Sequence, residues 1–237
     1  MHAGRGDLPR LVDDLQDGRA AGVPVRDYVL LLQEAIESGE HDVGAIGNAR
    51  TLSTFFSEVR RTANGVSGNA IISTQPLLMP AVIDLPRQRQ RRGAVAATIE
   101  IAGNRLLVID AHFENRTSLL RALFSDTARG RQADALLAAL PSSGAVILGG
   151  DFNTWLGPRE PAWRKLAERF PDTPGGPFEP TFRDRLVLDH LFFDVPDQWQ
   201  IARVVAKETY GSDHRPVIGI ISCASCAPSA RSPRSSP

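Results

Sequence analysis

Asp151 and Asn153 leave an apolar run, AVIL (145–148), through two glycines in the stretch GGDFNTW (149–155). Six further polar residues stand in the same relation to apolar runs: Glu34, Asn69, His112, Asp189, Asp213 and His214. Strand ends place side chains from distant positions next to one another, so these residues are candidates for one site. No lysine is among them. Carboxylate and amide oxygens without a competing cation suit a hard divalent metal, Mg²⁺ or Mn²⁺, held by one or two carboxylates and several waters. An imidazole beside a carboxylate keeps one tautomer and a raised proton affinity, so it can serve as acid, base or donor. Other chemistries lack their signatures: there is no GxSxG, no GxxxxGK[ST], no HExxH and no cysteine at a strand end.

Several elements are expected to position these groups. Leu8, Leu11, Val12 and Leu15 fall on one stripe of an amphipathic helix running to about Gly22, and Leu52, Phe55, Phe56 and Val59 repeat that spacing. DYVLLLQEA (27–35) reads as a buried strand stopping at Gln33-Glu34, and GNAIIST (68–74) as a short one. AVAATIEI and RLLVIDAHF form a hairpin through Gly103-Asn104. A helix at RQADALLAALP precedes the strand AVILGG, and a second helix opens at Pro158. LVLDHLFF, IARVVAKE and SDHRPVIGIIS read as the closing strands. The pattern predicts a mixed α/β domain over 1–222, followed by a disordered Ser/Pro/Arg tail over 223–237.

Composition narrows the partners. The chain is 42% hydrophobic, enough for a core, and its 27 Lys and Arg balance 27 Asp and Glu. No strong overall field therefore draws it to nucleic acid or acidic lipid, which weighs against a processive enzyme on duplex DNA. No apolar run is long enough for a transmembrane helix, no signal-peptide core opens the chain, and no obligate protein partner is inferred. Cys223 and Cys226 make one CxxC in the tail, a weak metal signal without further ligands. The run RQRQRR (87–92) is read first as a solvated strand edge and second as a grip on an anionic substrate.

The motifs LLQEA, GNAIIST, AHFENR, GGDFNTW, LDHLFF and GSDHRPV, in that order, resemble the endonuclease/exonuclease/phosphatase superfamily of Mg²⁺-dependent phosphoesterases. The superfamily includes exonuclease III-like repair nucleases, pancreatic-type deoxyribonucleases and neutral sphingomyelinases. The resemblance spans about Asp27 to Ser222 and implies a two-sheet α/β sandwich with outer helices. It further implies metal binding by Glu34 and Asp213, and a water oriented or deprotonated by Asp151 and held by Asn153. His214 would stabilise phosphorane-like charge or protonate the leaving group, oriented by Asp189, with His112 as a second donor to the phosphate. Asn69 lies in the corresponding GNAI strand. The implied reaction is hydrolysis of a phosphodiester or phosphomonoester, on nucleic acid or on a phospholipid or sugar phosphate.

One departure stands out. Members of the resembled superfamily begin with a strand ending in Asn, whereas this chain opens with a helix and has no such strand before Asp27. The domain is therefore expected to lack that first strand and to be N-terminally incomplete. The alternative reading that follows is a non-catalytic remnant of the same fold. Beside Asp189, His190 is expected to face the other side of its strand and to be structural.

Overall fold

A computed structural model describes residues 6–62, 65–87, 90–115, 122–174 and 178–223. The tail beyond Cys223 lies outside these residues, as do Gln88 and Arg89 of the basic run.

The strands follow the apolar runs. Gly93–Ile101 (β5) and Asn104–His112 (β6) pair as a hairpin whose turn residues Ala102 and Gly103 both take positive φ, the geometry of a tight two-residue loop. β6 runs parallel to Ala145–Asp151 (β7), which is antiparallel to Asp189–Asp194 (β8). Leu78–Asp84 (β4), which the sequence pattern did not flag, pairs with β5 and completes a five-stranded sheet in the order β4-β5-β6-β7-β8. On one face, Ile109, Ala111, Val146 and Leu148 pack beneath helices Ala122–Ala138 (α3) and Pro161–Arg169 (α4). On the other face, Leu106, Val108 and Phe193 meet a second layer of strands.

That second layer comes in two pieces. Val29–Ile36 (β1), Ser53–Thr62 (β2) and Gly65–Ser73 (β3) form an antiparallel sheet in the order β1-β3-β2, while Gln200–Val205 (β9) pairs with Val217–Ser222 (β10). Helices Leu8–Gln16 (α1) and Val43–Ala49 (α2) cover its outer side. The result is an α/β sandwich with outer helices, as expected. Among the described residues no strand lies between β1 and β10. Instead a cavity of about 510 Å³ separates them, lined by Val29–Gln33, Val217–Ile221 and residues of the five-stranded sheet. α1 spans it from outside: Leu11 and Leu15 pack with Leu30 of β1 and with Ile218 and Ile220 of β10.

The sequence pattern misreads several elements. Phe55, Phe56 and Val59 lie in the strand β2, with Leu52 just before it, not in a helix. Both faces of β2 are covered, Phe55 by the inter-sheet core and Phe56 with Leu52 by the outer helix side, so the two-residue alternation disappears. α1 ends at Gln16, short of Gly22, and α2 was not foreseen. Pro158 lies in a single 3₁₀ turn, and α4 begins at Pro161. β1 does not stop at Gln33-Glu34. It passes through a bulge between Leu32 and Ala35, with Glu34 at φ 53°, and continues to Ile36. Among the described residues no helix is long and apolar enough to cross a membrane.

Candidate active site

Register builds the floor of the site. His112 pairs with Asp151 across β6 and β7, and Asp151 pairs with Asp189 across β7 and β8. Three sequence-distant residues thus stand in one row at one end of the five-stranded sheet. All three side chains share the face that meets the second layer, because side chains two apart on a strand point the same way: Leu106 and Val108 of β6, an even number of residues before His112, line the inter-sheet core.

The glycines of GGDFNTW allow this approach. A Cβ on Gly150 would lie 1.9 Å from the Ala111 carbonyl oxygen, and Gly150 takes φ 144°. Only glycine lets β7 lie so close to β6 there. After the strand the motif divides between two sides. Phe152 enters the core against Phe113, at 4.9 Å between ring centroids, and against Phe192, at 5.3 Å. Asn153, at φ 52°, donates its backbone N–H to Asp151 Oδ1 (3.0 Å) and one amide hydrogen to the Phe113 carbonyl (3.2 Å).

Loop residues 181–182 join the remaining pair. Thr181 Oγ1 accepts from the backbone of Leu188 and Asp189, and the Thr181 carbonyl accepts from Arg215. Phe182 lies 4.9 Å from the His214 ring, centroid to centroid. His214 Nδ1 donates to Asp189 Oδ2 at 2.7 Å. A carboxylate only accepts, so the proton sits on Nδ1.

The electrostatics separate the groups. Burial pushes Asp151 up to about 7, and the charge of Asp189 adds to the shift, against His214, the Asn153 N–H and Arg92. Burial alone would pull His214 down, but its hydrogen bond to Asp189 and the charges of Asp189 and Asp151 lift it to about 9. His112 is held well below its ordinary value by burial and then by the Arg92 guanidinium. Its Nε2 lies 3.5 Å from Asp151 Oδ2.

Two expected residues come from outside the five-stranded sheet. Asp213 sits beside His214 in the chain, with its carboxylate 4.0 Å from Arg183 Nη2. Glu34, on the bulge of β1, acts on Arg92 through its charge. Among the described residues no three His, Cys, Asp or Glu side chains gather closely enough to enclose a metal ion. The donor set still fits Mg²⁺, which needs only one or two carboxylates and keeps its waters. Asn69 is buried and donates to the Gly93 carbonyl at 3.1 Å. On the opposite face, His190 pairs with Thr154 Oγ1 at 2.8 Å, and burial lowers it to about 4.

Two buried titratable residues beside this row escaped the sequence. Asp110 lies two residues before His112 on the same face, fully buried, where burial pushes it up to about 7 against a hydrogen bond from Gln33. A lone acid inside VIDAHF was the available signal. Arg92 belongs to the basic run, whose neighbours Arg87 and Arg91 are exposed, yet it is only 9% exposed and touches His112. Nothing local distinguishes it from them.

Comparison with known proteins agrees with this fold. No curated protein sequence matches the chain. Among solved structures, an endonuclease/exonuclease/phosphatase from Beutenbergia cavernae DSM 12333 superposes with TM-score 0.68 at 19% identity, covering 93% of this chain and 69% of that one. The human Nocturnin catalytic domain, with a bound sulfate anion, gives 0.64 at 20%, covering 82% and 80%. A Staphylococcus aureus beta toxin mutant with bound magnesium ions gives 0.58 at 16%, covering 89% and 91%. The profile of the Endonuclease/Exonuclease/phosphatase family matches residues 3–214, and the chain belongs to that family.

Proposed function

We propose that the protein hydrolyses a phosphodiester or phosphomonoester bond by attack of an activated water, with Mg²⁺ or Mn²⁺ as cofactor. One observation carries the reading: a base near 7 stands in register beside Asp189, and Asp189 in turn hydrogen-bonds an acid near 9 on the loop before β10. Family membership and the fold shared with structures that hold sulfate or magnesium ions support it.

Asp151 takes the proton of the attacking water through Oδ2, since Oδ1 is engaged by the Asn153 N–H. The Asn153 side chain holds the water and a phosphoryl oxygen. His214, protonated and oriented by Asp189, stabilises charge on the phosphoryl group or protonates the leaving oxygen through Nε2. His112 donates to a phosphoryl oxygen. Glu34 and Asp213 are the residues that would hold the cation, which when bound supplies charge stabilisation at a phosphoryl oxygen.

The base must be deprotonated and the acid protonated. The rate therefore rises through about pH 7 and falls through about pH 9. The test is turnover of DNA, RNA, sphingomyelin and inositol phosphates across that range, with Mg²⁺ and with chelator. Glu34→Gln is expected to raise the Mg²⁺ needed for half-activation about tenfold or more. Equal Mg²⁺ curves for variant and parent would remove Glu34 from the metal site. The cavity between β1 and β10, where no strand lies among the described residues, favours a second reading, a non-catalytic remnant, which predicts no turnover of any substrate at any metal concentration.

A further inference from the structure

We propose that Arg92 is a positioning residue, which fixes His112 as the tautomer carrying its proton on Nε2 and so makes it a neutral donor facing Asp151. The function of that donor rests on the phosphoesterase reading, whereas the tautomer itself does not.

The argument begins with the chemistry of the guanidinium. It has donors only and keeps its proton at any ordinary pH. Arg92 Nη1 lies 2.9 Å from His112 Nδ1, so Nδ1 must present its lone pair. The neutral ring then carries its hydrogen on Nε2, the nitrogen 3.5 Å from Asp151 Oδ2. A second proton on Nδ1 would set N–H against N–H and place two cations in contact at a site only 5% exposed.

The chain on either side of Arg92 is anchored. The Asn69 amide fixes the carbonyl of the next residue, Gly93, at 3.1 Å. Glu114 accepts from the Gln90 N–H at 3.4 Å and is itself tied by its backbone N–H to Gln132 at 2.8 Å. Burial disfavours the guanidinium charge, while Asp151, Glu34 and Glu114 favour it. Among the described residues its Nε finds no hydrogen-bond partner, so the placement satisfies His112 before it satisfies Arg92.

His214 shows the reverse arrangement. A carboxylate stands behind its Nδ1 and makes that ring a cationic acid. What sits behind each imidazole decides which of two jobs it can do, and environments that push two titratable groups apart are a general means of assigning such roles.

The experiment is nitrogen NMR of the whole chain with labelled imidazoles, read from pH 5 to 8 beside steady-state kinetics. The groups facing His112 are Arg92 and Asp151, with His214 acting through its charge. The parent is expected to show His112 neutral throughout with its proton on Nε2. Arg92→Met should admit the other tautomer or protonation within that range. It should also lower kcat about 10²-fold with KM little changed, the usual cost of one misplaced donor. Arg92→Lys, which still donates, should restore much of both. A parent spectrum with the proton on Nδ1 overturns the proposal without any variant, and so does an Arg92→Met spectrum identical to the parent. If the tautomer shifts as expected but neither protein turns over any substrate, the positioning role stands and the phosphoesterase reading falls.

Discussion

The two strand layers carry different halves of the site and differ in how they are held. The five-stranded sheet is continuous and covered on both faces, and it fixes His112, Asp151 and Asp189 by backbone register. The other layer is split between β1 and β10, and it carries Glu34 on a bulge and Asp213-His214 on the loop before β10. The group proposed to take a proton from water thus rests on ladder hydrogen bonds. The residues assigned to the cation rest on a bulge and a loop, positioned across a cavity by α1 and by the 181–182 loop. On the proposed reading, the precision needed to activate water comes from the continuous layer. A cation held by the split layer would tolerate its looser support, because Mg²⁺ fills its remaining positions with water.

The largest expected effect breaks the rigid half. Asp151→Asn keeps the shape and the Asn153 hydrogen bond but removes the base, so kcat should fall about 10²- to 10⁴-fold while the melting temperature stays near the parent's. A rate within threefold of the parent would show that the row is not where chemistry occurs.

Next comes the support of the split half. Leu15→Ala removes a buried side chain that ties α1 to both facing strands. The expected cost is about 2–5 kcal/mol, seen as a lowered urea midpoint. Hydrogen exchange should speed first at β1 and β10 and last at β6 and β7. Uniform acceleration across all four strands would show that the layers unfold as one unit and that the split has no energetic meaning.

The smallest effect sharpens the link between the halves. Asp189 on the rigid sheet holds His214 on the loop. Asp189→Asn removes the hydrogen-bonded charge that lifts the imidazole, so the alkaline limb of the pH profile should move down from about 9. Loss of activity in Asp189→Asn/His214→Ala should be close to that of His214→Ala alone. Independent, multiplying losses would separate the two residues.

Much of the fold was legible because hydrophobic runs are local. β3 and β5 to β10 follow apolar stretches between turn residues, and Gly103-Asn104 announced its hairpin. Where both faces of a strand are covered the signal fails, as at β2, and a bulge hid the continuation of β1 past Glu34. β4 is an edge strand whose Val82 and Met79 are exposed, so it left no clear pattern.

Residue type and motif order nominated Glu34, His112, Asp151, Asn153, Asp189, Asp213 and His214 from the sequence alone. Which of them touch was decided by sheet order and register: β6 beside β7 beside β8, with the strand ends level. Arg92 shows the limit most plainly, since Arg87 and Arg91 face water while it lies under His112. A cation in a basic run reads as solvated until a neighbouring strand covers it. Burial and hydrogen-bond partners are properties of segments far apart in the chain, and no local pattern encodes them.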